Sequence, residues 1–306
     1  MNGYDAEQLR ALLPFPKQSA NKYSRGKLTL FAGSSTYPGA AVLAASAAQR
    51  AGAGYTEVYS ATSVVSLIQS RHPSLVVRSF EDAQSNHFAS STPQRPCAYV
   101  VGPGFDAYND EASLVLTCRV LENAQAPVLI DGGALTYVAS LHGHALCKER
   151  FLKDHLTIVT PHAGEAQRLA KVFDIAVDDP VKLACMLSLA YGVITVLKGP
   201  KTFVSDGEQV FTIEGATSAL AKAGTGDVLS GIIGAFMAQG LSGLDAAVLG
   251  VIVHSEAGFL AAETYTSISV IAEDVVEYIP AAIKSIISLK TSLQPQGNDI
   301  SLSFNR

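Results

Sequence analysis

Short apolar segments recur along the sequence, and a loop rich in turn residues follows each of them before a helical pattern begins. A strand followed by a helix returns the chain to a parallel neighbouring strand, and such crossovers are right-handed, so helices can cover both faces of the sheet. The alternation therefore predicts an α/β fold with a central, mostly parallel sheet and helices on both faces. The predicted strands span residues 27–32, 55–59, 98–101, 127–130, 156–159 and 192–197.

The loops that follow these strands are expected to meet at one edge of the sheet. In an open α/β sheet, ligands bind in a crevice at the carboxyl ends of the strands. The sequence therefore predicts one binding crevice to which separate parts of the chain contribute. The loops include residues 33–39, 102–105, 131–135, 160–165 and 198–202.

One further loop has the composition of an anion site. Residues 223–227, Ala-Gly-Thr-Gly-Asp, run straight into the apolar helical stretch 228–237. The first N–H groups of a helix lack intrahelical partners and the helix dipole adds positive charge, so this start favours a phosphate. Asp227 is either a stabilising acid in the first helical turn or a base that takes a proton from an attacking hydroxyl. The loop lacks the lysine that completes a P-loop.

The remaining segments are consistent with a single domain over residues 1–306. A helix at 6–13 and a lead-in to residue 26 precede the first strand, and small residues at 40–48 suit a helix that lies close against a sheet. Asp206-Gly207 suits a hairpin turn between two short strands. Further strands are expected at 203–204 and 210–213, further helices at 246–264 and 272–289, and a flexible tail at 294–306.

Composition indicates a soluble globular protein with a large core, because 48% of the residues are apolar and 16% are charged. The net charge of -5 offers no basic face, so we expect no nucleic-acid partner. The N-terminus does not read as a secretion signal. The apolar region 228–253 is interrupted by polar residues and glycines, which favours two buried helices over a membrane span. We therefore expect a cytoplasmic protein without membrane contact.

The cysteines and histidines give little sign of a metal site. The four cysteines lie far apart in the sequence, so buried free thiols in a reducing compartment are expected. His142 and His144 are two residues apart, but no third ligand is near them in the sequence, and we expect a solvated loop. The cysteines are Cys97, Cys118, Cys147 and Cys185.

Taken together and in order, the motifs of the chain resemble those of the ADP- or ATP-dependent NAD(P)H-hydrate dehydratases, a branch of the ribokinase-like superfamily. The resemblance covers nearly the whole chain. It implies a ribokinase-like fold and an enzyme that repairs hydrated nicotinamide cofactors by removing water at the expense of a nucleotide. The motifs are Tyr37-Pro38-Gly39-Ala40, residues 50–54, His72-Pro73, 102–104, 131–135, 160–162, 197–199 and 224–229.

The resemblance also implies roles for particular residues. Asp227 would accept the proton of the ring hydroxyl as that hydroxyl attacks the terminal phosphate, while Mg²⁺ would bridge the phosphates of ADP or ATP. The implied contacts to the NAD(P)H hydrate are Ala40, Gly104, His162 and Asp227. The implied contacts to the nucleotide are Lys198, Gly199, Pro200, Lys201, Thr202 and Gly226, and the N–H groups of an anion hole would come from Ala223, Gly224, Thr225 and Gly226.

Each of these roles has a structural alternative. Lys198 could be a solvated charge at the end of a strand, and His162 could simply start a helix. Ala40 and Gly104 could be small only because the backbones approach closely. Asp131 could serve the fold or the metal and is a weaker candidate. The metal ligands are unknown at this stage.

Two other functions use the same anion site. A vitamin-precursor kinase of the superfamily would use Asp227 in the same way, whereas a non-catalytic adenine-nucleotide sensor would not need the carboxylate. The dehydratase is favoured by the motifs at 37–40 and 160–162. The resemblance further implies a homo-oligomer, often a tetramer. Only 26 residues precede the first strand, too few for the epimerase domain of many relatives, so we expect action on one epimer only unless a separate protein supplies the epimerase activity.

Overall fold

The computed structural model of the chain describes residues 4–85, 88–106, 111–289 and 299–300. Its helices are α1 (Ala6–Leu12), α2 (Pro38–Arg50), α3 (Thr62–Arg71), α4 (Glu111–Asn123), α5 (Ala134–Val138), α6 (Leu141–Leu152), α7 (Ala163–Lys171), α8 (Pro180–Tyr191), α9 (Thr225–Ala238), α10 (Gly243–Ser269) and α11 (Ala272–Ile287). Its strands are β1 (Lys27–Phe31), β2 (Tyr55–Ser60), β3 (Val76–Ser79), β4 (Cys97–Val101), β5 (Val128–Ile130), β6 (Thr157–Val159), β7 (Ile194–Leu197), β8 (Thr202–Ser205), β9 (Val210–Ile213) and β10 (Asp299–Ile300).

The described strands form one sheet in the order β10-β9-β8-β7-β6-β5-β4-β1-β2-β3. Strand β8 is antiparallel to β7 and β9, and every other pair is parallel. The order runs outward from β1 to β3 on one side and from β4 to β7 on the other. The gap between the loops after β1 and β4 is therefore a topological switch point, where open α/β sheets bind ligands.

Both faces of the parallel part of the sheet are buried. Successive side chains of a strand point to opposite faces, and β4 shows the result. Val100 packs in the core with α1–α3 and α9–α11, whereas Val101 packs in the core with α4–α8. Both side chains are 0% exposed. The predicted parallel sheet with helices on both faces is confirmed.

Most predicted elements agree with the structure to within a few residues, and the hairpin at 206–207 joins β8 to β9. Sequence patterns did not reveal β3, because it lies at the edge of the sheet and none of its four residues is buried. In the tail that we predicted to be flexible, Asp299–Ile300 pairs with β9. The rest of residues 294–306 lies outside the described part of the chain.

The apolar region 228–253 forms parts of α9 and α10, as predicted. In the described ranges, α10 is the one helix long and apolar enough to cross a membrane. Of its apolar 18-residue stretch, 72% is buried inside the protein. It packs against α9 and α11. Burial on most sides is typical of a core helix, which explains its uniform hydrophobicity.

The small residues of α2 allow an unusually close crossing with α9. A Cβ atom placed at Gly231 of α9 would lie 2.2 Å from the carbonyl oxygen of Ala44 and 2.9 Å from the Cβ of Ala47. Helix α2 also contacts β1 and β2, as its composition predicted. Only glycine fits at this crossing without displacement of one helix.

Replacing Gly231 with alanine should therefore push α9 away from α2. We expect Gly231→Ala to lower the free energy of unfolding by about 1–3 kcal/mol, because an overpacked core must shift its backbone. This loss includes the opposing gain of roughly 1 kcal/mol that alanine brings to a helix interior. Urea denaturation followed by circular dichroism measures the difference.

Gly39, at the start of α2, provides the matched control, since a Cβ there would meet no atom within 4 Å. Gly39→Ala should leave the free energy of unfolding unchanged or slightly raise it. Wild-type stability in Gly231→Ala would contradict the tight crossing of α2 and α9.

Candidate active site

The loop before α9 leaves several backbone donors unpaired. Gly224 is the N-cap residue with φ of 92°, a left-handed conformation that favours glycine. The hydroxyl of Thr225 lies 2.7 Å from the carbonyl oxygen of Leu220 and 2.9 Å from that of Lys222, which fixes the turn. The Thr225 N–H is directed at the Lys222 carbonyl, 3.4 Å away. The N–H groups without an acceptor among the described residues belong to Ala223, Gly224, Gly226 and Asp227.

A buried carboxylate, Asp131, joins the loops around this helix start. Asp131 follows β5 and is 2% exposed. Its Oδ1 accepts hydrogen bonds from Lys198 Nζ at 2.8 Å and from the Thr160 hydroxyl at 2.7 Å. Its Oδ2 accepts from the Ser230 hydroxyl at 2.7 Å. Since Lys198 follows β7, Thr160 follows β6 and Ser230 lies on α9, one side chain holds the carboxyl edge of the sheet to α9.

The charges of Asp131 and Lys198 support each other. Burial alone would raise the pKa of Asp131, but Lys198 and the neighbouring hydroxyls hold this pKa below its usual value. Burial alone would lower the pKa of Lys198, but Asp131 and then Glu165 raise it. The carboxylate of Glu165 lies 4.0 Å from the Lys198 ammonium group. The site therefore contains a permanent cation in neutral solution.

Asp227 is set apart from this network. It lies in the first turn of α9, and within the described part of the chain its carboxylate accepts no hydrogen bond. Burial and then the negative charge of Asp131 raise the pKa of Asp227 to about 7, although Lys198 acts in the opposite direction. A carboxylate with free lone pairs and a pKa near neutrality is suited to accept a proton during a reaction.

His162 is the N-cap residue of α7, the alternative role considered from the sequence. Its ring nitrogen Nδ1 accepts a hydrogen bond from the backbone N–H of Gly164 at 3.1 Å. The backbone N–H of His162 donates to Glu165 Oε2 at 2.8 Å. The side chain is nevertheless 58% exposed, and its backbone pairs with that of Lys198. Its Nε2 lies 3.5 Å from Glu165 Oε1, so both ring nitrogens have protein neighbours while the ring itself stays exposed. A contact with substrate stays a prediction.

The loops after β1 and β4 touch at the switch point. The N–H of Gly33 donates to the carbonyl oxygen of Pro103 at 2.8 Å. Gly104 has φ of 70°, and a Cβ there would lie 2.5 Å from the Cβ of Ala40. The two predicted substrate residues therefore lie together, and packing alone already requires both to be small. Ala40 is 7% exposed, so its side chain offers little surface to a ligand.

The segment after β7 leads from the buried site to the surface. A Cβ placed at Gly226 would lie 3.5 Å from the Lys198 ammonium nitrogen, so this lysine reaches the start of α9. Lys201 instead pairs with Glu214 at the surface. Thr202 begins β8 and is buried. The exposed residues of the segment are Gly199, Pro200 and Lys201.

Besides Thr160, which entered the prediction only within the motif 160–162, three residues of the site were not among the predicted ones. Ser230 lies one turn beyond the glycine motif, and Glu165 could have been found from its capping spacing to His162. His254, on α10, has a buried Nε2 without a partner among the described residues. Burial lowers the pKa of His254 to about 4, although the nearby backbone of Thr225 acts in the opposite direction. The only signal for His254 was a polar residue within an apolar helix.

The arrangement combines the parts needed for phosphoryl transfer to a hydroxyl. Unpaired N–H groups and the Lys198 ammonium can hold a phosphate, and Asp227 can accept a proton beside it. The loops after β1 and β4 meet at the switch point, the position at which open α/β sheets bind their ligands.

Comparisons with known proteins agree with this chemistry. The sequence profile of the NAD(P)H-hydrate dehydratase family matches residues 28–281. The ADP-dependent (S)-NAD(P)H-hydrate dehydratase of Xanthomonas campestris is 31% identical over 286 residues, which cover 91% of this chain and 94% of that protein. The bifunctional NAD(P)H-hydrate repair enzyme Nnr of Thermofilum pendens is 32% identical over 288 residues, 90% of this chain and 53% of the relative. The chain thus spans about half the length of this bifunctional relative.

A solved structure supports the fold. The ADP/ATP-dependent NAD(P)H-hydrate dehydratase of Bacillus subtilis, co-crystallised with ATP/Mg²⁺, superposes with a TM-score of 0.76 at 24% identity, covering 93% of this chain and 98% of that one. Structural neighbours confirm the predicted ribokinase-like fold. From the family profile and the Xanthomonas relative together, the chain belongs to the NAD(P)H-hydrate dehydratase family.

Proposed function

We propose that this protein is a carbon–oxygen lyase that dehydrates (S)-NAD(P)H hydrate to NAD(P)H, with ADP giving AMP and phosphate or ATP giving ADP and phosphate. The observation that carries the proposal is the carboxylate of Asp227, which has no hydrogen-bond partner within the described residues and a pKa raised to about 7. It lies beside unpaired N–H groups at the start of α9. Membership of the dehydratase family over residues 28–281 supports the same reaction.

The reaction has to convert a ring hydroxyl into a good leaving group. In the proposed first step, the hydroxyl oxygen bonds to the terminal phosphorus of the nucleotide, the bond from that phosphorus to the bridging oxygen breaks, and Asp227 accepts the hydroxyl proton. In the second step, the ring nitrogen expels the new ester as phosphate, and loss of a neighbouring ring proton restores the double bond.

The remaining site residues fit binding roles. The ammonium of Lys198 and the N–H groups of the loop 223–227 would stabilise charge on the transferred phosphoryl group. We propose that the hydrated nicotinamide nucleotide binds at and beside the switch point. The residues that would contact it are Ala40, Gly104, His162 and Asp227. The residues that would contact the nucleotide cosubstrate are Lys198, Gly199, Pro200, Lys201, Thr202 and Gly226.

Mg²⁺ fits the oxygen donors of this site only in part. Both oxygens of Asp131 already accept hydrogen bonds from the protein, so Asp131 is better suited to the fold than to the metal. Glu165 is the nearest further carboxylate to Lys198 and could take an ion that is held mainly by phosphate oxygens. Bound there, Mg²⁺ would neutralise phosphate charge.

We also propose a cytoplasmic homo-oligomer that receives the reactive epimer of the hydrate from a separate epimerase activity; a tetramer is one form it could take. Exposed apolar side chains such as Leu152, which is 82% exposed, and Ile268, which is 84% exposed, would be available to contacts between subunits. Sedimentation equilibrium measures the oligomeric state.

The direct test follows the near-ultraviolet absorbance that reduced nicotinamide has and its hydrate lacks. The protein is mixed with purified NADH hydrate, Mg²⁺ and either ADP or ATP. A nucleotide-dependent rise supports the proposal, and the comparison identifies the phosphoryl donor. A stable phosphate ester of a vitamin-type alcohol without this rise would favour the rival kinase, whereas nucleotide binding with neither reaction would favour the sensor.

The Asp227→Asn variant isolates the proton acceptor. The amide keeps the size of the side chain but cannot take the hydroxyl proton, so we expect turnover to fall by about 10²–10⁴-fold while nucleotide affinity is kept. Steady-state kinetics and calorimetric nucleotide titration measure the two effects. Asp178→Asn, at an exposed position, is the matched control. Unchanged turnover in Asp227→Asn would rule out the assigned role.

The pH dependence of kcat/KM should carry the signature of the same group. Because the pKa of Asp227 is raised to about 7, its carboxylate becomes protonated as the pH falls below that value and can no longer accept a proton. We expect kcat/KM to fall about tenfold per pH unit on the acid side. Nucleotide affinity measured over the same range is the control. A flat profile between about pH 5.5 and 8 would contradict this assignment.

A further inference from the structure

A second group of polar side chains lies in the helical layer of α4–α8. The Sγ of Cys118, a carboxylate oxygen of Glu122 and a ring nitrogen of His142 all lie within 4.8 Å of one another. Cys118 is partly buried, and the other two side chains are exposed. Among the described residues, this is the one group of three or more such side chains close enough to share an ion.

Helix packing brings the three side chains together. Cys118 and Glu122 are one turn apart on α4, so they lie on the same face of that helix. His142 lies in the first turn of α6, which packs against α4. The sequence expectation of a solvated loop around His142 and His144 was wrong, because Ser140 caps a helix there.

His144 does not belong to the group. Its Nε2 lies 3.1 Å from the carbonyl oxygen of Ala190. Its ring packs edge-on against Phe173 and Tyr191, with centroid distances of 4.5 and 5.4 Å. The two side chains that join His142 are therefore contributed by α4, and the neighbouring histidine contributes none.

Tyr137, at the end of α5, supports the orientation of the group. Its hydroxyl lies 2.7 Å from the Nδ1 of His142. This contact restrains the imidazole ring beside Cys118 and Glu122. Hydrogen bonds to a ligand side chain from residues that do not themselves bind the ion orient that ligand and tune the affinity for the metal.

We propose that Cys118, Glu122 and His142 bind a divalent ion with affinity for sulfur, of which Zn²⁺ is the best match. Thiolate, imidazole and carboxylate are the ligands that Zn²⁺ takes in proteins, and three of them leave a fourth position for water. Mg²⁺ and Ca²⁺ prefer oxygen ligands alone, so the Mg²⁺ of a nucleotide would not compete here. On binding, the Cys118 thiol releases its proton to solvent.

Binding requires a small inward movement. Ligand atoms at about 2.0–2.3 Å from a tetrahedral Zn²⁺ lie about 3.3–3.8 Å apart, against the present limit of 4.8 Å. The exposed side chains of Glu122 and His142 can make this adjustment by rotation. The ion would then link α4 to α6 and stabilise the folded state by mass action. The site does not depend on the proposed dehydratase activity.

Co²⁺ provides a spectroscopic probe for the site. The purified full-length chain is stripped with chelator and titrated with Co²⁺, and the near-ultraviolet band of a cobalt–thiolate bond is recorded. We expect the band to saturate at one equivalent per chain and to be displaced by Zn²⁺. Glu122→Gln and His142→Ala should each weaken Co²⁺ binding at least tenfold.

Two cysteine variants give the decisive comparison. Cys118→Ser should lose the band, whereas Cys185→Ser, which removes another partly buried free thiol, should keep it. Circular dichroism of each variant checks that the fold is retained. Absence of the band from the wild-type protein, its survival in Cys118→Ser, or unchanged affinity in both Glu122→Gln and His142→Ala would overturn the proposal.

Discussion

The geometry of the site depends on the buried ion pair between Asp131 and Lys198. Taking both charges out of water is costly unless each finds compensating partners, and Asp131 has three donors on its two oxygens. Those donors come from the segments that follow β6 and β7 and from α9. Loss of one partner would leave a buried charge uncompensated, at a cost of about 3–5 kcal/mol. The pair therefore fixes the carboxyl edge of the sheet as well as supplying a cation.

The same pair separates the two aspartates of the site into different roles. The pKa of Asp131 is lowered because Lys198 and two hydroxyls outweigh the effect of burial. The pKa of Asp227 is raised because burial and the charge of Asp131 outweigh the effect of Lys198. Two carboxyl groups whose environments push their pKa values apart are the usual sign of an acid–base assignment. Asp131 holds the structure, and Asp227, which has no hydrogen-bond partner among the described residues, is the proton acceptor in the proposed reaction.

The close crossing of α2 and α9 determines how the first turns of these two helices lie relative to each other. Helix α9 carries Asp227 in its first turn, and α2 carries Ala40 in its own. Since Gly231 lets the two helices approach at backbone distance, the start of α9 is held next to the loops after β1 and β4. Small residues far from the reacting groups thus determine the distance between the anion site and the switch point.

Sequence patterns predicted the structure correctly where the conformation of a segment depends on residues close together in the chain. Buried strands show as apolar runs, and positions that need a left-handed conformation, such as Gly104 and Gly224, show as glycines in loops. These two signals account for the predicted sheet and for the placement of the glycine motif. The edge strand β3 lacked the apolar run and was missed for that reason.

Residues that act through tertiary contacts left almost no trace in the sequence. Ser230 matters because helix packing turns its hydroxyl toward Asp131, 99 positions away in the chain. His142 was judged without a third ligand because Cys118 and Glu122 belong to another helix. Short-range patterns identify where the chain turns and which loops share an edge of the sheet. Helix packing determines which side chains come into contact, through α9 at the edge of the sheet and through α4 in the helical layer. The chemistry proposed for each site depends on those contacts.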